Sequence, residues 1–201
     1  MVRVEEIINK YGNLSAEIFQ KSKELLLKEY QGNREEILEN LKDVFRYLCM
    51  KAYEMQEYGQ KEVVSIISFF YLNSSLLTGS HKYLISLYDK TFYLDQSEVS
   101  ITYCPEFIIP YFLSDIQLLE NDIRKHYIRI KSYEMERIKF LHIQHYYELM
   151  KEIFCSVLDE IKNLPEYNIM KKSTNPLFLY GGYRDYAINL EEFYAALSNR
   201  S

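Results

Sequence analysis

Glycine, proline and cysteine are all scarce in this chain, with six, four and three residues out of 201. So little glycine and proline argues against a loop-rich sandwich, a collagen-like repeat or a low-complexity chain. The cysteines, Cys49, Cys104 and Cys155, are an odd number, far apart and without a C-x-x-C pair, so neither a disulfide framework nor structural zinc is expected. Cys49 and Cys155 fall on or beside apolar helical faces, where a thiol behaves as a small buried hydrophobe. Tryptophan is absent. Positive charge is short as well: 24 Lys and Arg stand against 29 Asp and Glu, a net of -5. That is the wrong sign for a protein whose main work is neutralising phosphates. The densest basic patch, Arg124-Lys125-His126 with Arg129 and Lys131, spreads around a helical cylinder and forms no stripe.

Long apolar runs are missing too. The most apolar window, Val63 to Leu77, is broken by serines and Asn73 and is shorter than the ~20 residues a bilayer requires. No apolar leader segment follows Met1, so the chain is expected in the cytoplasm and away from membranes. Twenty Tyr, with Lys, Ile and Asn abundant, point to an A+T-rich and bacterial origin. Hydrophobic residues at 48% and charged residues at 26% describe an ordinary globular chain of one domain.

Helical spacing dominates what is present. Asn33 with Glu36 reads as a capping box, after which Leu38, Leu41, Phe45, Leu48, Ala52 and Met55 alternate by three and four. Ser15 to Tyr30 reads as a preceding helix and Gln60 to about Leu77 as a third, apolar nearly all round. From His81 to Tyr103 aromatic and β-branched residues alternate with polar breaks, which predicts a hairpin turning at Asp89-Lys90, with a helical continuation as the alternative. Past Pro105 and Pro110 two further frames run, Ile109 to Ile130 and Phe140 to Leu164. They are out of phase, so a turn or kink is expected near 131–136. Pro176 to Tyr180 reads as a short strand, Gly181-Gly182 as a turn, and Asn189 with Glu192 as the cap of a last helix. The expected fold is mainly α: a bundle of about five or six helices over 1–165 with a small β-hairpin inserted near 82–103. Residues 166–201 are expected to form a C-terminal tail docked on it.

Chemistry-bearing constellations are few. His142 and His145 share a helical face with Glu148 and Glu152, but no Glu-x-x-His or His-Glu-x-x-His pair is present, so no metal and no cofactor is expected. His126 stands within an apolar frame, between Ile123 and Ile130. The segment Arg137-Ile138-Lys139-Phe140-Leu141-His142 resembles the Arg-x4-6-His motif of the HEPN ribonucleases, over these six residues alone and with Ile138 where that family typically carries a polar residue. The resemblance implies a metal-independent ribonuclease on a helical bundle that commonly dimerises, with His142 as general base toward a ribose 2′-hydroxyl and Arg137 stabilising phosphorane charge.

Tyr180-Gly181-Gly182-Tyr183-Arg184-Asp185-Tyr186 combines backbone freedom with residues enriched in interface hot spots, making Tyr180, Tyr183, Arg184 and Tyr186 candidate binding residues. The leading expectation is therefore a non-enzymatic, cytosolic protein-protein interaction or regulatory protein. Its partner would be another protein, or a second copy met through the amphipathic helices. The HEPN-like ribonuclease is the alternative, under which alone nucleic acid would be a partner. A small-ligand sensor using the bundle interior is third.

Overall fold

A computed structural model describes residues 2–198. Two long helices open it, α1 (Val2–Gly32), which continues through Gly12, and α2 (Arg34–Glu57). In α2 the frame Leu38, Leu41, Phe45, Leu48 and Ala52 is buried, as its spacing requires of a helix packed along one face. The capping box does not close, because Asn33 makes no side-chain cap bond.

The expectation of a mainly α bundle with a small hairpin is overturned at the next segment. Val64–Tyr71, placed by its sequence in a third helix, is strand β1, followed by the short helix α3 (Asn73–Thr78). Strands β2 (Tyr83–Tyr88) and β3 (Val99–Tyr103) come next, then helices α4 (Ile109–His126), α5 (Ser132–Ser156), α6 (Leu158–Lys162) and α7 (Pro165–Ile169). Strand β4 (Lys172–Gly182), strand β5 (Ala187–Asn189) and helix α8 (Leu190–Ser198) complete the described chain. The strands form one five-stranded sheet in the order β3-β2-β1-β4-β5. β1 and β4 are parallel, and the other neighbouring pairs are antiparallel. An all-alpha description does not fit a chain built around such a sheet.

The misreading of β1 has a physical cause. The strand lies in the middle of the sheet, and its run from Ile67 to Phe70 is buried without interruption. A strand covered on both faces shows no alternation, and a short apolar run of that kind cannot be told from a buried helix by period. Its Val, Ile and Phe content suits the pleated surface.

The hairpin lies within the expected 82–103, but it turns through a long loop and not tightly at Asp89-Lys90. β2 returns as β3, with Leu87 opposite Val99, and 89–98 is a loop containing a 3-10 turn at Phe92–Leu94. Asp89 starts the loop by accepting from the Thr91 N–H and hydroxyl at 2.6 and 2.5 Å. Asp95 anchors it: the carboxylate accepts from Lys61 Nζ at 2.9 Å, the Asp89 N–H at 2.8 Å, and the Ser97 N–H and hydroxyl at 2.7 and 2.8 Å. Burial alone would raise this carboxyl; the Asp89 N–H, Lys61 and Ser97 together hold it below its ordinary value.

Residues beyond 165 contribute to the same sheet and core as those before it. β4 pairs with β1 from Val64 opposite Lys172 to Tyr71 opposite Gly182, and Phe178, Tyr180 and Leu190 belong to the same core as the helices. The break between α4 and α5 falls at 127–131, just before the expected 131–136, and is made without glycine by Arg129 at φ 57°.

On the inner face of the sheet Phe69 meets Phe45 of α2 and Phe154 of α5, Tyr71 stacks on Tyr147 of α5, and Phe178 meets Tyr167 of α7. Helices α1 and α4 pack in turn on α5. On the outer face Phe70 meets Phe92, Tyr93 and Tyr183, so a loop and a turn cover its centre. Among the described residues no helix is long and apolar enough to cross a membrane.

Candidate functional site

Two places in the fold gather chemistry-bearing side chains. The first is sealed inside the helices. In α1, Ser15 and Ser22 are seven residues apart and share one face; in α5, His142 and Tyr146 are four apart and do the same. Between them α4 inserts Asp115. The His142 Nδ1 lies 2.8 Å from the Ser15 hydroxyl, and its Nε2 lies 3.0 Å from Asp115 Oδ2. Asp115 also accepts from the Tyr146 hydroxyl at 2.7 Å and the Ser22 hydroxyl at 2.5 Å. The proton arrangement that satisfies every group has His142 donating from Nε2 to the carboxylate and accepting at Nδ1 from Ser15. Burial, and then the bond to Asp115, push the Tyr146 phenol far above its ordinary value.

Ser15, His142 and Asp115 thus have the connectivity of a nucleophile, a base and an orienting acid. Their burial prevents the corresponding chemistry: Ser15 and His142 are 0% exposed and Asp115 is 1% exposed. A substrate could not reach the hydroxyl. The network instead ties three helices together through hydrogen bonds in a low-dielectric interior.

The ribonuclease alternative gains no support from this arrangement. Arg137 and His142 both lie in α5, five residues and therefore roughly 140° apart around the helix. Arg137 is exposed, whereas both ring nitrogens of His142 are committed to partners inside. His145 is half-buried and stacked on Phe19, and burial followed by the neighbouring His142 lowers its pKa. His126 is exposed at the end of α4, with Nδ1 2.9 Å from the Asp122 carbonyl. Among the described residues no group of three or more His, Cys, Asp or Glu is placed to hold a metal ion. The interior slot bounded by His81, Phe112, Ile143 and Tyr146 has about 20 Å³ of free space, room for about one water and none for a small ligand.

The second place lies on the outer face of the sheet, where the Phe92–Leu94 turn meets the segment 183–186. Tyr180, expected to bind a partner, is not part of it. Its side chain points inward and its hydroxyl donates to the Tyr147 carbonyl at 2.6 Å. Tyr183 is half-buried against Phe70 and Tyr93, and the Arg184 N–H donates to the Tyr93 hydroxyl at 2.9 Å. The Arg184 guanidinium lies 5.4 Å over the Tyr183 ring. Phe92 and Arg184 both hold left-handed backbone, at φ 55° and 58°, a conformation that costs energy for such side chains and clusters where a surface must be presented. The result is a docked aromatic base with exposed tips: Leu94 is 80% and Tyr186 79% exposed, and Arg184 is exposed beside them in sequence. Of the four candidate binding residues the structure therefore brings three to this surface, Tyr183, Arg184 and Tyr186.

Sequence reasoning missed Asp115 and Ser15 in the sealed network and Tyr93 and Leu94 on the surface. One signal was present. Asp115 falls three residues after Phe112 and four before Leu119, inside an apolar frame where a carboxylate requires buried donors. Comparison of the chain with family models, curated proteins and solved structures found no match.

Proposed function

We propose that the protein is a non-enzymatic interaction or regulatory protein of the cytoplasm that engages a protein partner through the surface formed by Tyr93, Leu94, Tyr183, Arg184 and Tyr186. The observation that supports this reading is the pairing of a fixed base with exposed tips. The Arg184 N–H bond to Tyr93, the ring contacts of Tyr183 and the buried Lys61–Asp95 pair hold two loops in place, while Leu94 and Tyr186 remain in solvent. Large apolar and aromatic side chains presented on a pre-ordered backbone lose little entropy on binding, and Tyr and Arg dominate interface hot spots. The frames of α2 and α4 are buried within the chain itself, which moves the expected contact away from the helices. Photo-crosslinking inside the producing cell tests the proposal. A benzophenone side chain at Tyr186 or Leu94 should trap a defined protein adduct, and the same group at Tyr58, which is 80% exposed at the end of α2, should not. Equal labelling at all three positions, or none at Tyr186 and Leu94, refutes it.

A further inference from the structure

A cleft beside the junction of α1 and α2 carries an inference separate from the partner surface. It opens between α2 and the segment joining β3 to α4, with about 480 Å³ of free volume, inside the range of small-molecule sites. One wall is a single face of α2, where Asn33, Ile37, Asn40 and Val44 follow each other at helical spacing. The other is made by Tyr103, Cys104, Glu106 and Phe107.

The lining is mixed: Ile37, Val44, Tyr103 and Phe107 form its apolar and aromatic part, Asn33 and Asn40 add amides, and each wall adds one carboxylate, Glu36 and Glu106. Neither carboxylate has a hydrogen-bond or ion-pair partner among the described residues, and Lys, Arg and His do not line the cleft. The positive end of α2 points the other way electrostatically, but Glu35 and Glu36 in its first turn offset it. At Cys104 burial first and Glu106 next push the thiol upward, with Lys82 opposing them from outside the cleft lining. Asn33 leaves its helix uncapped by its side chain and so keeps an amide available to the cleft.

We propose that this cleft binds a small organic cation, an amine or guanidinium carrying a short aliphatic stem. The charged head lies between Glu36 and Glu106, and the stem lies along Ile37 and Val44. Phe107 and Tyr103 offer ring faces on which a cation is favoured. An anion is excluded by the same two carboxylates and by the chain's net charge of -5.

Titration calorimetry of the full chain at low salt decides it, with n-hexylamine, hexanoate and 1-hexanol as probes that share a stem and differ in head. Saturable binding is expected for the amine alone. Glu36→Gln and Glu106→Gln should each weaken it roughly fivefold, the effect of removing one near charge in a wet site, while circular dichroism melts stay unchanged because both side chains are exposed. Tyr186→Ala should bind the amine as the parent does, which keeps this result separable from the partner surface. Three results overturn the proposal: equal binding of hexanoate or hexanol, no saturable heat for hexylamine in the millimolar range, or either Gln variant binding as tightly as the parent. A Gly-Lys-Gly peptide provides a further arm. Tighter binding of the peptide than of the free amine overturns the assignment to a small molecule and points to a lysine presented by a protein.

Discussion

Replacing Asp115 by alanine tests whether the sealed network holds α1, α4 and α5 together. The carboxylate accepts from three groups, Tyr146, His142 and Ser22, and the substitution leaves all three without it. Ser22 is half-buried and can turn to water, but Tyr146 at 1% and His142 at 0% exposure cannot. Two unpaired buried donors at about 1–3 kcal/mol each, with a small cavity added, give an expected loss of about 3–5 kcal/mol. For a chain of this size that is a fall in Tm of roughly 10 °C. Urea unfolding followed by far-ultraviolet circular dichroism measures it. Asp115→Asn retains a carbonyl acceptor and should lose about 1–2 kcal/mol. The combined Asp115→Leu, His142→Leu variant should be more stable than the sum of its two single changes predicts, because it removes donor and acceptor together. A loss below about 1 kcal/mol for Asp115→Ala, or strict additivity in the pair, would show that these hydrogen bonds do not organise the helices.

Three further outcomes are expected. Burial lowers the pKa of both His81 and His145 from the ordinary 6.5, so the fold favours their neutral forms; their contribution to stability is complete above about that pH, declines as the pH falls below it and levels off under their folded values, and urea midpoints that rise on acidification from pH 8 to pH 5 would contradict this. The thiols of Cys49 and Cys155 are pushed up by burial to about 12 and about 11, so a disulfide reagent at pH 8 should label half-buried Cys104 first and reach the other two only on unfolding; prompt labelling of all three in the native protein refutes the placement. At Gly181 a Cβ would stand 2.2 Å from the Tyr186 carbonyl oxygen and 2.7 Å from the Ala187 Cα, so Gly181→Ala should push β5 off β4 and cost about 1–3 kcal/mol, with lost amide-exchange protection at Ile188 as the local readout; unchanged protection there would sink the argument.

What the sequence disclosed and what it concealed follow from where each element lies. Helices α2, α4 and α5 bury one stripe and leave the other wet, and that asymmetry is written in their spacing. β1 has no wet side at its centre, so it carries no such mark. β4 concealed itself in two ways. Pro176 argues against an inner strand, yet the pairing with β1 slips between Val64 opposite Lys172 and Ile66 opposite Leu177, and the irregularity accommodates a residue without an N–H. Gly181 and Gly182 read as a turn, but both are strand residues, and at Gly181 the returning chain passes too close for a side chain.

The same logic divides the sites. Tyr183, Arg184 and Tyr186 were visible because residue type alone marks an exposed aromatic segment, whereas Tyr180 differs from them only in which way the strand turns it. The sealed network was invisible because its bonds join residues as far apart as 15 and 142, and no local pattern encodes a partner at that distance. Only the carboxylate at 115, standing in an apolar frame, signalled that some distant donor had to meet it. A charged residue where the period demands an apolar one is thus the sequence's trace of tertiary structure. In this chain it marks the junction of three helices, and the surface proposed to meet a partner lies elsewhere, on loops held by the sheet.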